Sequence, residues 1–177
     1  RIQAAQLLGK LRQQDAAGPL LAMLVVRAKI ANVETKTLDM QAVLVALGDL
    51  ADTTQLLPAA SALEGCLAKG TGPALTYYFQ TRSPELDAKD EATLLVAVLG
   101  HNEPMLRRYA IGRLGELHDL TTVKALEGRL GVEGSELRPL IEVALAQVRG
   151  QIPSSNTTSS GSAASGNLLA KIKQRWN

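Results

Sequence analysis

The sequence predicts an all-α fold: an α-solenoid of stacked antiparallel helix pairs, followed by a flexible linker and a short C-terminal helix. Three observations carry this. Apolar residues make up 46% of the chain and are mostly Ala and Leu, both strong helix formers. No stretch keeps a period of two for long, so no sheet is expected. One motif recurs at Leu8-Gly9-Lys10-Leu11, Leu47-Gly48-Asp49-Leu50 and Leu114-Gly115-Glu116-Leu117, and more weakly at Leu145-Ala146-Gln147-Val148.

The clearest copy spans residues 103–130. Leu106, Tyr109, Ala110, Leu114 and Leu117 recur at three- and four-residue spacing and share one helical face. Pro104 suits a first-turn position, where its missing N–H costs nothing. His118-Asp119 breaks the pattern, and Val123, Leu126 and Leu130 begin a second face. The other copies agree at several offsets. Arg1, Met40, Arg107 and Arg138 stand seven residues before the leucine. Leu20, Ala59 and Leu126 stand twelve after it, and Leu24, Leu63 and Leu130 sixteen after it. Leu47 and Leu114 are 67 residues apart, room for two units, so a degenerate unit is expected between them. Its helices are expected over residues 74–82 and 91–99, broken at Ser83-Pro84.

In chain order, residues 1–12 read as the second helix of a unit. Asp15 is the expected cap of a helix over 16–30, with Pro19 in its early turns. Residues 37–51 repeat the first helix, Asp52-Thr53-Thr54 offers capping side chains, and a helix over 55–69 follows. Gly70-Thr71-Gly72-Pro73 reads as a breaker. Residues 85–90 form a charged connection, and Gly100-His101-Asn102 the next corner. Gly131–Gly134 turns the chain into a last helix over 135–149, with Ser135 as its N-cap. About eight helices are expected over residues 1–151. Residues 154–166, SSNTTSSGSAASG, form no core and read as a linker.

The residues at Arg107, Ala110, Leu114, Gly115, Leu117 and Leu126, with their counterparts in the first unit, resemble the HEAT repeats. The likeness is closest to the short bacterial HEAT-like repeats of phycobilisome lyases, and it covers residues 1–151. The chain departs from that pattern at Met40, where the arginine is replaced. The resemblance implies the fold and, as alternatives, a bilin-lyase-like enzyme subunit or a HEAT-like DNA-binding or repair protein.

The residues themselves favour a non-enzymatic scaffold or adaptor. With one cysteine and two histidines (His101 and His118, both in corners), no ligand-spaced metal cluster exists, and no metal or cofactor is expected. Gly112-Arg113-Leu114-Gly115 lacks the Lys-Ser/Thr of a phosphate loop, and no nucleophile constellation is visible. Cys66, on an apolar helix side, reads as a buried thiol and fits a cytoplasmic location. No run of about 20 apolar residues exists, so no transmembrane helix is expected, and three positive charges with few apolar residues make the tail a weak membrane anchor. Setting aside Lys171, Lys173 and Arg175, the body carries 16 basic and 17 acidic residues, a poor footprint for nucleic acid.

The expected partner is another protein, and the candidate contacts fall in three places. Tyr77, Tyr78 and Phe79 form the only aromatic cluster of the body, where the repeat fails; interfaces favour aromatics. Arg107 and Arg138 share one repeat position: each either lines the partner face or packs its stem between helices and pairs with Glu103, Glu133 or Glu136. In residues 167–177, drawn as a helix, Leu168, Leu169, Ile172 and Trp176 share an arc of about 100°, with Lys171 and Arg175 at one edge. That tail is expected to dock on an acidic-rimmed groove of the same or another protein rather than on an anionic membrane surface, with Trp176 as anchor.

Overall fold

The computed structural model describes residues 2–29, 34–50, 52–65 and 70–150. Among them it is all-helical, with nine α-helices: α1 (Ile2–Lys10), α2 (Ala17–Ala28), α3 (Glu34–Asp49), α4 (Leu56–Ala62), α5 (Thr71–Arg82), α6 (Ala88–Val98), α7 (Pro104–Leu117), α8 (Val123–Leu130) and α9 (Arg138–Val148). Cys66 and residues 151–177, with their linker and tail, lie outside the described residues.

The odd-numbered helices form one row, in which α1 packs on α3, α3 on α5, α5 on α7 and α7 on α9. In a second row α2 packs on α4 and α4 on α6. Contacts of α2 with α3, α4 with α5, α6 with α7 and α8 with α9 tie the rows together. The core lies between them. Leu24, Leu47, Leu75, Leu95, Leu106 and Leu114 are fully buried there, and each such leucine contributes about 1.5–3 kcal/mol.

The recurring glycines set how closely the odd helices approach. A Cβ on Gly9 would lie 2.8 Å from Ala46 Cα, and one on Gly115 would lie 3.0 Å from Ala144 Cα. Backbones come this near only where a side chain is missing. At Gly48 the nearest atom is a ring carbon of Tyr78, at 3.6 Å. The facing residues Ala46, Tyr78 and Ala144 thereby fall in one register, just before Leu47, Phe79 and Leu145.

Phe79 is therefore the leucine counterpart in the degenerate unit. With that assignment, α2, α4, α6 and α8 each begin nine residues after Leu8, Leu47, Phe79 and Leu114. The same register places Gln80 at the glycine position, and Glu91 where the other units carry Leu20, Ala59 and Leu126.

Corners follow the register too. Arg12 and His118, each four residues past its leucine, both adopt the left-handed conformation, with φ of 49° and 53°. One residue later, Asp52 and Asp119 accept from the N–H of Thr54 and Thr121. Asp15 does not cap α2. It sits inside a 3₁₀ turn, and the capping position of that corner is Gln13, whose side chain makes no capping bond. Ser135 does not cap α9 either: Gly134 O accepts from the N–H of Leu137 and Arg138, so the helix starts three residues later than expected. At the breaker cluster only Gly70 breaks, with φ of 85°. Thr71, Gly72 and Pro73 form the first turn of α5, where proline lacks only an N–H that has no helical acceptor. α4 stops at Ala62, short of the expected 69.

Candidate interaction face

One repeat position is half-buried in every helix of the odd row. Two residues before each leucine stand Gln6, Val45, Tyr77, Gly112 and Val143, and all five are half-buried. They form a line across α1, α3, α5, α7 and α9, with Tyr77 at its centre. On the next helix in the row, a Cβ at Gly112 would meet nothing within 4 Å. At the register position that Tyr77 fills in α5, α7 thus leaves open space.

The aromatic cluster divides along these lines. Tyr78 and Phe79 are fully buried and meet edge to face, ring centroids 6.4 Å apart. They are core residues and cannot contact a partner, which corrects the expectation for both. The Tyr78 hydroxyl donates to Asp52 O at 3.0 Å. Burial pushes its phenol well above the usual range, the Asp52 charge adds to this, and Arg82 opposes it. Three consecutive helical residues point about 100° apart, so two can fill the core while only Tyr77 reaches the surface.

Arg107 and Arg138 also part company. Arg107 Nε lies 2.9 Å from Glu133 Oε1, and its Nη1 donates to His101 O and Asn102 O. Glu133, nearly buried, also pairs with Arg129. Burial alone would raise the Glu133 carboxyl, but hydrogen bonds from Arg129 and Arg107 outweigh it and hold it below the usual carboxylate range. Arg138 is exposed and has no ion-pair partner among the described residues. The described chain supplies it no following corner with a counterpart of Glu133. In the degenerate unit Gly72 takes the arginine position. The Glu103 carboxylate lies over it, 1.8 Å from where a Cβ would stand.

The densest polar cluster joins α5, α6 and α7. Glu91 is only 2% exposed. Its Oε1 accepts from Ser83 Oγ at 3.1 Å and from Arg113 Nε at 2.9 Å, and its Oε2 accepts from Arg113 Nη2 at 3.0 Å. Arg113 also reaches Glu116 at 3.0 Å, and Ser83 Oγ lies 2.6 Å from the Tyr109 hydroxyl. Hydrogen bonding to Glu91 is the main influence that raises the Arg113 pKa. Burial raises that of Tyr109, against the Ser83 bond. Each of these side chains is hydrogen-bonded to another, so the cluster holds the helices together.

His101, in the corner between α6 and α7, is buried. Its Nδ1 accepts from the Glu103 N–H at 3.0 Å. Its Nε2 faces Ala60 O at 3.0 Å and Glu64 Oε2 at 3.2 Å. Beside it, a notch with room for about one water is lined by Leu63, Thr71, Gly72 and Leu75. The Thr71 hydroxyl is buried there without a hydrogen-bond partner. Among the described residues no group of three or more His, Cys, Asp or Glu is placed to hold a metal ion, and no helix is long and apolar enough to cross a membrane. In comparisons with known proteins, no family model, no curated protein and no solved structure matches this chain.

Proposed function

We propose that the chain is a non-enzymatic interaction scaffold, a HEAT-like α-solenoid whose odd-helix face binds an extended or helical segment of a partner protein. The line of half-buried positions centred on Tyr77, with open space at Gly112, carries this reading. A solenoid leaves such a face free because its core is satisfied between neighbouring units. Tyrosine suits it as an anchor, with large contact area at low entropic cost. Residues 167–177 supply a second contact by the expected apolar arc of Leu168, Leu169, Ile172 and Trp176. Work in the cytoplasm is proposed on the lone cysteine alone.

A peptide library displayed on phage and selected against the full chain tests this directly. Selected peptides are expected to lose at least about tenfold in affinity for Tyr77→Ala and for Gly112→Phe, about 1.4 kcal/mol or more. Peptides that bind both variants as well as the parent would place the interaction elsewhere.

A further inference from the structure

Seven residues before the leucine stand Met40 in α3, Gly72 in α5 and Arg107 in α7, with Phe79 counted as the leucine of α5. Arg107 shows what this position can do. Its guanidinium ties the corner before α7, through His101 O and Asn102 O, to Glu133 in the corner after α8. Met40 puts a buried apolar side chain there instead. Gly72 puts none, yet the corner after α6 still brings an acid. The Glu103 carboxylate lies against Gly72 and supplies the three nearest atoms to a Cβ built there.

Among the described residues no arginine or lysine is paired with the acids around Gly72. Glu103 Oε1 accepts from the Met105 N–H at 3.1 Å, which caps α7, and its carboxylate forms no ion pair there. Glu64, in the corner before α5, reaches over to the corner before α7. Its Oε1 accepts from the Asn102 N–H at 3.2 Å, and its Oε2 lies 3.2 Å from His101 Nε2. His101 does not balance these acids, because its Nδ1 accepts from the Glu103 N–H, as only the neutral ring can. Arg107 is committed to Glu133. A second unmet group lies beside them. Thr71 is 2% exposed, lines the same notch as Gly72, His101 and Glu103, and its hydroxyl has no hydrogen-bond partner.

We infer that the notch at Gly72 receives the guanidinium of an arginine supplied by a partner protein, in the role that Arg107 fills one unit later. The Thr71 hydroxyl and the Glu103 carboxylate both accept from N–H groups, and a planar fork serves two such acceptors better than a point-like ammonium. The notch has room for about one water, enough for one nitrogen of that fork. The start of α5 is no bar to a cation, since Arg107 itself lies in the early turns of α7 with an acid in front of it. Other occupants leave a group unmet. A water satisfies Thr71 but leaves the Glu103 charge unpaired. An apolar side chain leaves both, at a desolvation cost. An anion meets Glu103 and Glu64. Neither Tyr77 nor Gly112 takes part.

The probe is N-acetyl-L-arginine amide, titrated into the full chain and followed by amide proton–nitrogen spectra. Saturable shifts are expected at Thr71, Gly72 and Glu103, and the uncharged isostere N-acetyl-L-citrulline amide should bind at least about tenfold more weakly. Glu103→Gln, which keeps an acceptor for the α7 cap, should remove that preference. Gly72→Arg should fill the notch from within. It should abolish the response to the arginine amide and melt about 2 °C or more above Gly72→Met, and Glu103→Gln should erase that difference. Equal responses to the arginine and citrulline amides overturn the inference, as does a Gly72→Arg chain that still binds the arginine amide or melts no higher than Gly72→Met. Tighter binding of N-acetyl-L-lysine amide overturns it too. So does a tenfold gain in arginine-amide affinity in Lys69→Ala, since the chain's own ammonium would then be the occupant; Lys69 lies outside the described residues. A loss of this site leaves the Tyr77 face intact, and Tyr77→Ala should leave the arginine-amide response within about twofold of the parent.

Discussion

Removing Arg113 should cost far more than removing the residue it pairs with, and removing both should cost little. Glu91 is 2% exposed and accepts three hydrogen bonds, two of them from Arg113. In Arg113→Ala the carboxylate stays in the core with Ser83 alone. Orphaning one member of a buried pair costs about 3–5 kcal/mol. Glu91→Leu is milder, about 1–2 kcal/mol, because the Arg113 side chain is 28% exposed and keeps Glu116. The double variant Glu91→Leu, Arg113→Ala carries the residue types of other units, Leu126 at one position and Ala46 or Ala144 at the other. It should lie within about 1 kcal/mol of the parent, since apolar replacement of a buried pair is often neutral or stabilising. Urea unfolding followed by circular dichroism at 222 nm gives all four free energies, and the cycle should return a coupling of about 3 kcal/mol or more. Additive losses would refute the reasoning: the pair would then be a surface contact, and the assignment of Glu91 to a core leucine position would fall with it.

Tyr78→Phe deletes only the bond to Asp52 O and should cost about 1 kcal/mol, whereas Tyr77→Ala should change stability by no more than about 0.5 kcal/mol; thermal melts rank the two. Gly112→Ala, with nothing within 4 Å of the new Cβ, should stabilise by about 0.5–1 kcal/mol through helix propensity. Gly115→Val should destabilise by about 1–3 kcal/mol or more, because Ala144 Cα is already 3.0 Å from a Cβ there; denaturant midpoints check the opposite signs. The Glu133 pKa is depressed in the fold, so its contribution is present above the unfolded carboxylate value of about 4.3 and is lost as pH falls through the lower folded value. Glu133→Gln should therefore cost stability at pH 7, with the gap to the parent closing below about pH 4; a gap unchanged by pH would contradict the ion pairs with Arg107 and Arg129.

The helices were legible because the Leu-Gly signature lies on the faces that pack. Its spacing also left room for a unit between Leu47 and Leu114, where α5 and α6 lie. What stayed hidden was that unit's register, because its signature positions are substituted together. Tyr78 replaces a small residue and Gln80 a glycine. Glu91 replaces a leucine, with Arg113 of the next unit as its partner. Each change reads as loss of pattern in one dimension, and only the packed structure shows that they compensate. Capping was misread for a related reason. The repeat fixes the capping position five residues past the leucine, at Asp52 and Asp119, and in the first corner that place falls to Gln13 rather than Asp15. The arginine position is shared by Arg107 and Arg138, yet only Arg107 has an acid in front of it. Sequence register gives a side chain's direction, and the neighbouring corner decides its partner.

Several polar bonds of the corners run between units. Gln14 Nε2 donates to Leu50 O at the end of α3. The Tyr78 hydroxyl reaches the corner at Asp52, His101 meets Ala60 O, and Arg107 spans from His101 O to Glu133. A linear array held only by apolar contact between neighbours can lose units singly from its ends. Here a corner that opens also strips a hydrogen bond from the unit beside it. The energetic coupling between neighbours is raised, and the length of chain that must melt together is longer than one helix pair. Among the described residues α1 and α2 are tied to the next unit by the Gln14 bond and by the Arg27–Asp39 ion pair. Opening of one corner should therefore loosen its neighbour, and the helix pairs should not melt one at a time.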